Sequence, residues 1–397
     1  MQYTPHNELE NRLLKVQAKL RHSDIDGVLV MDKVDLLYLT GTAQNGVLFV
    51  PPEGTPVFAV RRSLDRARQE SAWSDVVPLR SLRELSGILS ERGHGGFGKL
   101  GLELDVVPAL IYLQLLELFG GVAFVDVSPT IREVRMIKSA YEIERIEQAA
   151  EQLRVVMAEI PAMMRAGCER EIDLAAKIEG ALRRNRHQGL VRTRRFGLEM
   201  HYGAVSAGAS ASYPTDFDGP DGMEGLYPAV PQSGGERLLR RGEPIMIDLC
   251  GGYDGYIADK TRIFVSGGLK DEEMLRAHHF ALRLQSEVKA RMRPGAHSAR
   301  IYQTIEELVR ESPFAPNFMG YGSNQTRFVG HGVGLELDEL PILSARSEVV
   351  LKEGMVIAVE PKFFFGDRGG VGIENTWVVT KDGCRNLTAD SDEIVSV

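Results

Sequence analysis

The chain has 397 residues, which at roughly 150 residues per domain implies two or three domains and a core that needs neither disulfides nor a structural metal. Apolar residues make up 43% and charged residues 26%, an ordinary globular composition that excludes disordered, collagen-like and coiled-coil chains. Lys plus Arg number 47 against 55 Asp plus Glu, and a net charge of −8 without a basic tail argues against nucleic acid as a partner.

The first thirty residues mix charges throughout and contain no apolar run of signal-peptide length, so export is not expected. No window reaches the ~18 consecutive apolar residues that a membrane span requires. The cysteines, Cys168, Cys250 and Cys384, are widely spaced and form no C-x-x-C. They suit a reducing cytoplasm better than a disulfide framework or a thiolate zinc site.

From Leu9 to about Val127, β-rich runs at 27–31, 46–50, 56–60, 99–104 and 122–127 alternate with helical stretches, the pattern of an α/β layer. Gly93-His94-Gly95-Gly96-Phe97-Gly98 satisfies G-x-G-x-x-G, but it precedes a strand instead of following one and reads as a turn. Ser139-Ala140-Tyr141-Glu142 is a capping box that predicts a long helix, with apolar positions from Ile143 to Met157 at three- and four-residue spacing. The helix should end at Arg165-Ala166-Gly167. A boundary just before it divides the chain into domains of residues 1–130 and 131–397.

The second part contains an internal echo. Met164-Arg165-Ala166-Gly167 and Met292-Arg293-Pro294-Gly295 each close a long helix, each is followed by a second helix (about 171–186 and 298–311), and each pair precedes a β-hairpin, at 245–265 and about 355–380. A helix-helix-hairpin unit met twice predicts two halves about a pseudo-two-fold axis. Segment 203–236, rich in Gly, Pro, Ser and Asp, reads as an irregular loop of the kind that lines a site.

The chemistry concentrates in the two hairpins. With a turn centred on Tyr253-Asp254, Asp248 and Asp259 face each other across the first hairpin, ~5 Å apart, and such a like-charged pair needs a cation between its members. Cys250 shares their face and reads as a small buried filler. With a turn centred on Asp367, Glu360 and Glu374 face each other at the matching place in the second hairpin. Between the hairpins, Gly330-His331-Gly332 projects one imidazole from a backbone that others can approach closely. Four carboxylates and one histidine can hold two divalent ions, whose four positive charges balance the four acids. An oxygen-rich donor set with one imidazole favours Mn, Fe, Co or Zn, and two metals ~3.5–4 Å apart support hydrolysis.

At these residues the sequence resembles the creatinase/prolidase/methionine-aminopeptidase superfamily, the pita-bread metallopeptidases, in its Xaa-Pro aminopeptidase and prolidase branch. The family's five metal ligands match Asp248, Asp259, His331, Glu360 and Glu374. Residues 131–139 with Glu142-Ile143, Ala258-Asp259-Lys260-Thr261-Arg262 and Tyr38-Leu39-Thr40-Gly41 agree with further landmarks of that branch. The resemblance implies a creatinase-like α/β amino-terminal domain, then an α+β pita-bread catalytic domain with pseudo-two-fold symmetry, assembled as a homodimer. It implies two divalent ions, manganese before cobalt, zinc or iron. It also implies removal of an amino-terminal residue next to proline from a small peptide by a metal-bridging hydroxide, with Glu360 as ligand and proton acceptor. No nucleic acid or membrane partner is implied.

The sequence departs from the peptidases at two positions. Where they carry a histidine seven residues after the Gly-His-Gly histidine, this chain has Asp338, and where they carry another seventeen residues before the first aspartate, it has Pro231. Losing such donors commonly costs ~2.7–4 kcal/mol each in barrier. Asp338 therefore supports an alternative: C–N hydrolase or lyase chemistry on a small cationic substrate, with this carboxylate as its catalytic or binding anion. A third reading is a non-catalytic binding protein on the inherited fold.

Overall fold

The computed structural model describes residues 3–397, and the chain divides into two compact units, Met1–Arg135 and Met136–Val397. The amino-terminal unit is built on a six-stranded mixed sheet. Its spatial order is Val76–Pro78, Val57–Val60, Gly46–Val50, Gly27–Val30, Lys99–Leu102 and Ala123–Asp126. The central strands Gly27–Val30, Gly46–Val50 and Val57–Val60 are buried along their full length, as expected where helices cover both faces of a sheet. Residues 93–98 form the turn leading into Lys99–Leu102, as their position before a strand predicts.

The second unit has the pita-bread architecture. The long helix Ala140–Arg165 starts at the capping box, where the Ser139 hydroxyl accepts the Glu142 N–H and the Glu142 carboxylate accepts the Ser139 N–H. Glu171–Arg184 follows it, and the pair Glu272–Arg291 and Ser298–Arg310 repeats the arrangement. One sheet is built around the antiparallel strands Gly203–Ala207, Pro244–Tyr253 and Tyr256–Val265, with Val395–Ser396 added in parallel at its edge. The other has the spatial order Glu339–Ser344, Phe328–Gly332, Val356–Val359, Asn375–Thr380 and Gly383–Asn386. Gly203–Ala207 corrects the reading of 203–236 as wholly irregular: its first five residues pair with Ile245–Leu249 as a strand.

The strands of the first hairpin are almost wholly buried, so one face must pack while the other is free for the site. The packing face meets the long helix. A Cβ at Gly251 would lie 2.1 Å from the Ala149 carbonyl oxygen, so only glycine permits this approach of helix to strand.

Candidate metal centre

The first hairpin turns at Asp254-Gly255, both with positive φ (51° and 92°), the two-residue geometry that Asp-Gly favours. This displaces the register by two residues from the one read in the sequence. Asp248 stands opposite Thr261, and Asp259 stands opposite Cys250. A two-residue displacement keeps side chains on their face, whereas a one-residue slip would have reversed them. The two aspartates are therefore diagonal neighbours on one face instead of a directly opposed pair.

Period-two alternation then divides the labour along Tyr256–Val265. Asp259 and Thr261 face the site, where the Thr261 hydroxyl donates to Glu374 Oε2 at 2.8 Å. Lys260 and Arg262 face away, and both are buried against the carboxy-terminal segment. Lys260 pairs with Asp390, and Arg262 with Asp390 and, at 2.9 Å, Asp392.

In the second hairpin the ladder is interrupted but its register is constant. Val359 pairs with Asn375 on one side of the break and Lys362 with Gly372 on the other, so Glu360 and Glu374 occupy opposed positions between them. His331 enters from the neighbouring strand, where it pairs with Ala358. Its Nδ1 lies 2.9 Å from the Leu337 carbonyl oxygen and must donate there. Nε2 is thereby left with a lone pair directed at Glu360 Oε1 (3.6 Å), Glu374 Oε1 (3.9 Å) and Asp259 Oδ2 (4.0 Å). Those separations are too long for hydrogen bonds and match donors sharing one ion at ~2.1 Å bonds. Asp259, His331 and Glu374 each offer a donor atom within 4.8 Å of the others. The carbonyl bond to Nδ1 also fixes the tautomer, as an outer partner of a metal-bound imidazole does.

The sequence reading missed two residues. Lys362 is fully buried, and its Nζ is surrounded by Asp221 Oδ2 (2.7 Å), Asp248 Oδ2 (3.0 Å), Glu374 Oε2 (3.0 Å) and Glu360 Oε2 (3.1 Å). Glu360 and Lys362 are two residues apart in an extended segment, so alternation places them on one face. That signal was legible. Asp221 arrives from the loop Gly219-Pro220-Asp221-Gly222, inside the segment read as site-lining, but nothing local singles out this residue.

Burial raises the carboxyls of Glu360 to about 7 and of Glu374 and Asp221 to about 8, against the pull of Lys362. It drives Asp259 well above the carboxylate range, aided by Glu374 and Asp248. At Asp248 the upward push of burial is outweighed by Lys362 and by hydrogen bonds, and the group is held low. The four carboxylates around Lys362 more than offset its desolvation and keep it an ammonium. Burial and Asp259 push the Cys250 thiol well up, which fits a filler and not a nucleophile. Three buried oxygens, Asp221 Oδ1, Asp248 Oδ1 and Glu374 Oε1, have no hydrogen-bond partner. Of these, Glu374 Oε1 faces the His331 lone pair together with Asp259 Oδ2 and Glu360 Oε1, and carboxylate oxygens gathered at an imidazole lone pair fit a divalent cation.

Beside Asp248 and Asp259 lies a cavity of about 20 Å³ walled by Met200, Phe217, Met223 and Leu337, room for one water. A groove of about 330 Å³ adjoins it across Phe217 and is lined by Arg195, Tyr213, Asp216, Asp218, Asp221 and Tyr321 among others. Asp338 and Pro231 do not line either space, although their neighbours Leu337 and Gln232 wall the small cavity. Asp338 Oδ1 accepts the Arg194 N–H at 3.2 Å, and the Pro231 carbonyl accepts the Thr215 hydroxyl. A second acidic group, Asp32, Asp35 and Glu103, is largely engaged within the protein, although Glu103 Oε1 is buried without a hydrogen-bond partner. Arg135 pairs with Asp35, Asp32 caps a helix, and Glu103 accepts two backbone N–H groups.

Fold and site together define a metal-dependent hydrolase with a creatinase-type amino-terminal domain and a pita-bread catalytic domain. Residues 144–381 match the model of metallopeptidase family M24, and residues 12–137 that of the creatinase/prolidase N-terminal domain. The chain belongs to metallopeptidase family M24. It is similar to the Xaa-Pro dipeptidase of Pyrococcus furiosus, with 28% identity over 98% of this chain and 100% of that protein. Among solved structures it is similar to the prolidase of Pyrococcus horikoshii (TM-score 0.79, 25% identity, 97% of this chain and 100% of that one). It also resembles the Xaa-Pro dipeptidase of Bacillus anthracis in fold (TM-score 0.82, 23% identity, 98% and 100%).

Proposed function

We propose that the protein is a hydrolase of small Xaa-Pro peptides, of the prolidase type. The observation that carries this reading is the His331 lone pair directed at Asp259, Glu360 and Glu374, with a water-sized cavity at Asp248 and Asp259 and a groove of ligand size alongside. Asp259, His331, Glu360 and Glu374 would hold the divalent ion, manganese before cobalt, zinc or iron. When bound, that ion supplies Lewis acidity toward a carbonyl and lowers the pKa of water. Glu360, whose Oε2 bonds to Lys362, would offer Oε1 on the His331 side to the ion, and its carboxylate is the proposed proton acceptor. Phe217, Met223 and Leu337 exclude bulk water from that face. The names of the relatives support the same substrate class. A cytoplasmic homodimer belongs to the same reading, with its three cysteines as free thiols.

The alternative built on Asp338 is less favoured by the geometry: its Oδ1 accepts the Arg194 backbone N–H and it lines neither space, although its charge helps to raise the carboxyl of Asp218 on the groove wall. Assay of manganese- and cobalt-loaded protein against a panel of Xaa-Pro dipeptides and Xaa-Pro-Xaa peptides tests the proposal. Turnover of the dipeptides is expected. No cleavage of a panel that a control prolidase degrades would overturn it.

A further inference from the structure

Sequence alone pointed to two divalent ions balanced by four carboxylates. The structure adds two charges to that balance, the ammonium of Lys362 and the carboxylate of Asp221, and these cancel. The balance therefore still stands at four negative charges, which charge alone would match with two divalent ions, so the case for fewer rests on geometry.

The expected ligands fall into two groups. Asp259, His331 and Glu374 cluster, with Glu360 Oε1 within 3.6 Å of His331 Nε2. Asp248 is not in that group. It gives one oxygen to Lys362 Nζ at 3.0 Å, and Glu360 and Glu374 turn their other oxygens to the same nitrogen. Nζ thus has the coordination of a cation: four carboxylate oxygens at 2.7–3.1 Å, full burial, and no other partner type. An ion held at ~2.1 Å by the oxygens of Asp248, Glu360 and Glu374 that face Nζ would overlap the ammonium. The side chain is confined as well. Phe363 and Phe364 beside it are fully buried, and the strand is pinned by the ladder from Lys362↔Gly372 to Phe364↔Gly370.

We infer that the Lys362 ammonium permanently takes the place of a second metal ion, so that the protein is mononuclear, with its one divalent ion held by Asp259, His331, Glu360 and Glu374. The inference rests on the reading of those four residues as metal ligands. Its chemical consequence is a fixed monovalent cation beside the exchangeable divalent one. Lys362 holds Asp248, Glu360 and Glu374 in place, but it offers no open coordination position and cannot bridge a water.

Metal content separates the two claims. Protein stripped with chelator, reloaded with excess Mn(II) and desalted is expected to retain one manganese per chain by elemental analysis. Its electron paramagnetic resonance spectrum should be that of an isolated Mn(II) ion. Lys362→Ala should retain two per chain and show the exchange-coupled spectrum of a metal pair. Lys362→Met, which keeps the buried stem, serves the same purpose if the alanine variant does not fold. Two ions per chain in the unmodified protein, or one in a folded Lys362 variant, would overturn the inference while leaving the hydrolase reading intact. No retained metal in either protein would overturn the ligand assignment itself and the inference with it.

Discussion

The Nζ of Lys362 lies 2.7 Å from Oδ2 of Asp221, and the two side chains are 0% and 2% exposed. The pair is asymmetric. Asp221 has this lysine as its cation, whereas Lys362 has three further carboxylates. Removing one partner of a buried pair strands the other, at about 3–5 kcal/mol. Lys362→Met strands four acids and should cost metal-free protein that much in urea unfolding. Asp221→Asn leaves the ammonium three acceptors and a retained amide oxygen, so its cost should be nearer about 1–3 kcal/mol. If the aspartate change proved as damaging as the lysine change, the ammonium would not be the centre of this network.

Thr261 offers a test that leaves every metal ligand in place. Its hydroxyl donates to Glu374 Oε2 at 2.8 Å, its backbone stands opposite Asp248, and its carbonyl accepts the Glu374 N–H. Thr261→Val keeps the shape and the backbone bonds and removes only the hydroxyl. Partners of this kind orient a ligand, and their loss typically weakens metal binding by about 10–100-fold. Competition against a chromogenic chelator should report a loss in that range with an unchanged circular dichroism spectrum. Unaltered affinity would mean that Glu374 is positioned by its backbone alone.

These residues also separate what the sequence discloses from what it conceals. Repetition of a helix pair and a hairpin was readable because period and capping are local properties, and the Ser139 box began its helix where the pattern indicated. The second hairpin's register was readable from the position of its turn. In the first hairpin the turn falls one residue later, because Asp254-Gly255 accepts the positive φ of a two-residue turn. Opposed aspartates therefore became diagonal ones. Lys362 was half visible, since it shares a face with Glu360. Its full burial depends on acids from three other segments, which no local pattern reports. Asp221, in a Gly- and Pro-rich loop, is a site residue solely through tertiary placement.

His187 gives the catalytic unit a sensitivity to acid. Its Nε2 lies 3.1 Å from the Cys250 carbonyl oxygen and must donate, while its Nδ1 accepts the Gly189 N–H at 3.0 Å. Both nitrogens are satisfied only in the neutral ring, and burial lowers its pKa, with the Cys250 carbonyl opposing and Arg183 adding to the effect. An unfolded histidine takes up a proton near 6.5, whereas this one does so only at lower pH. In that interval the unfolded chain binds more protons. The contribution is therefore fully present above about 6.5 and is lost as pH falls toward the folded value. Denaturation at about pH 7.5 and about pH 5.5 should show His187→Gln less stable than the parent at the higher pH but with a shallower loss on acidification. Parallel pH profiles would exclude His187 as a contributor.

Metal removal should be visible as stability, independently of turnover. Glu374 Oε1 is buried without a hydrogen-bond partner, a cost that a cation bound beside His331 relieves. An ion that binds only the native site stabilises it by about 2.7 kcal/mol at a hundred times its Kd. For a unit the size of Met136–Val397, each kcal/mol is worth about 2–4 °C, so manganese at that excess should raise Tm by roughly 5–10 °C over chelator-treated protein. His331→Ala removes the lone pair directed at Asp259, Glu360 and Glu374 but leaves the Lys362 cluster whole. Its metal-free Tm should change little, and its response to manganese should largely vanish. A full thermal shift in that variant would place the ion away from His331, among the carboxylates that the ammonium already occupies.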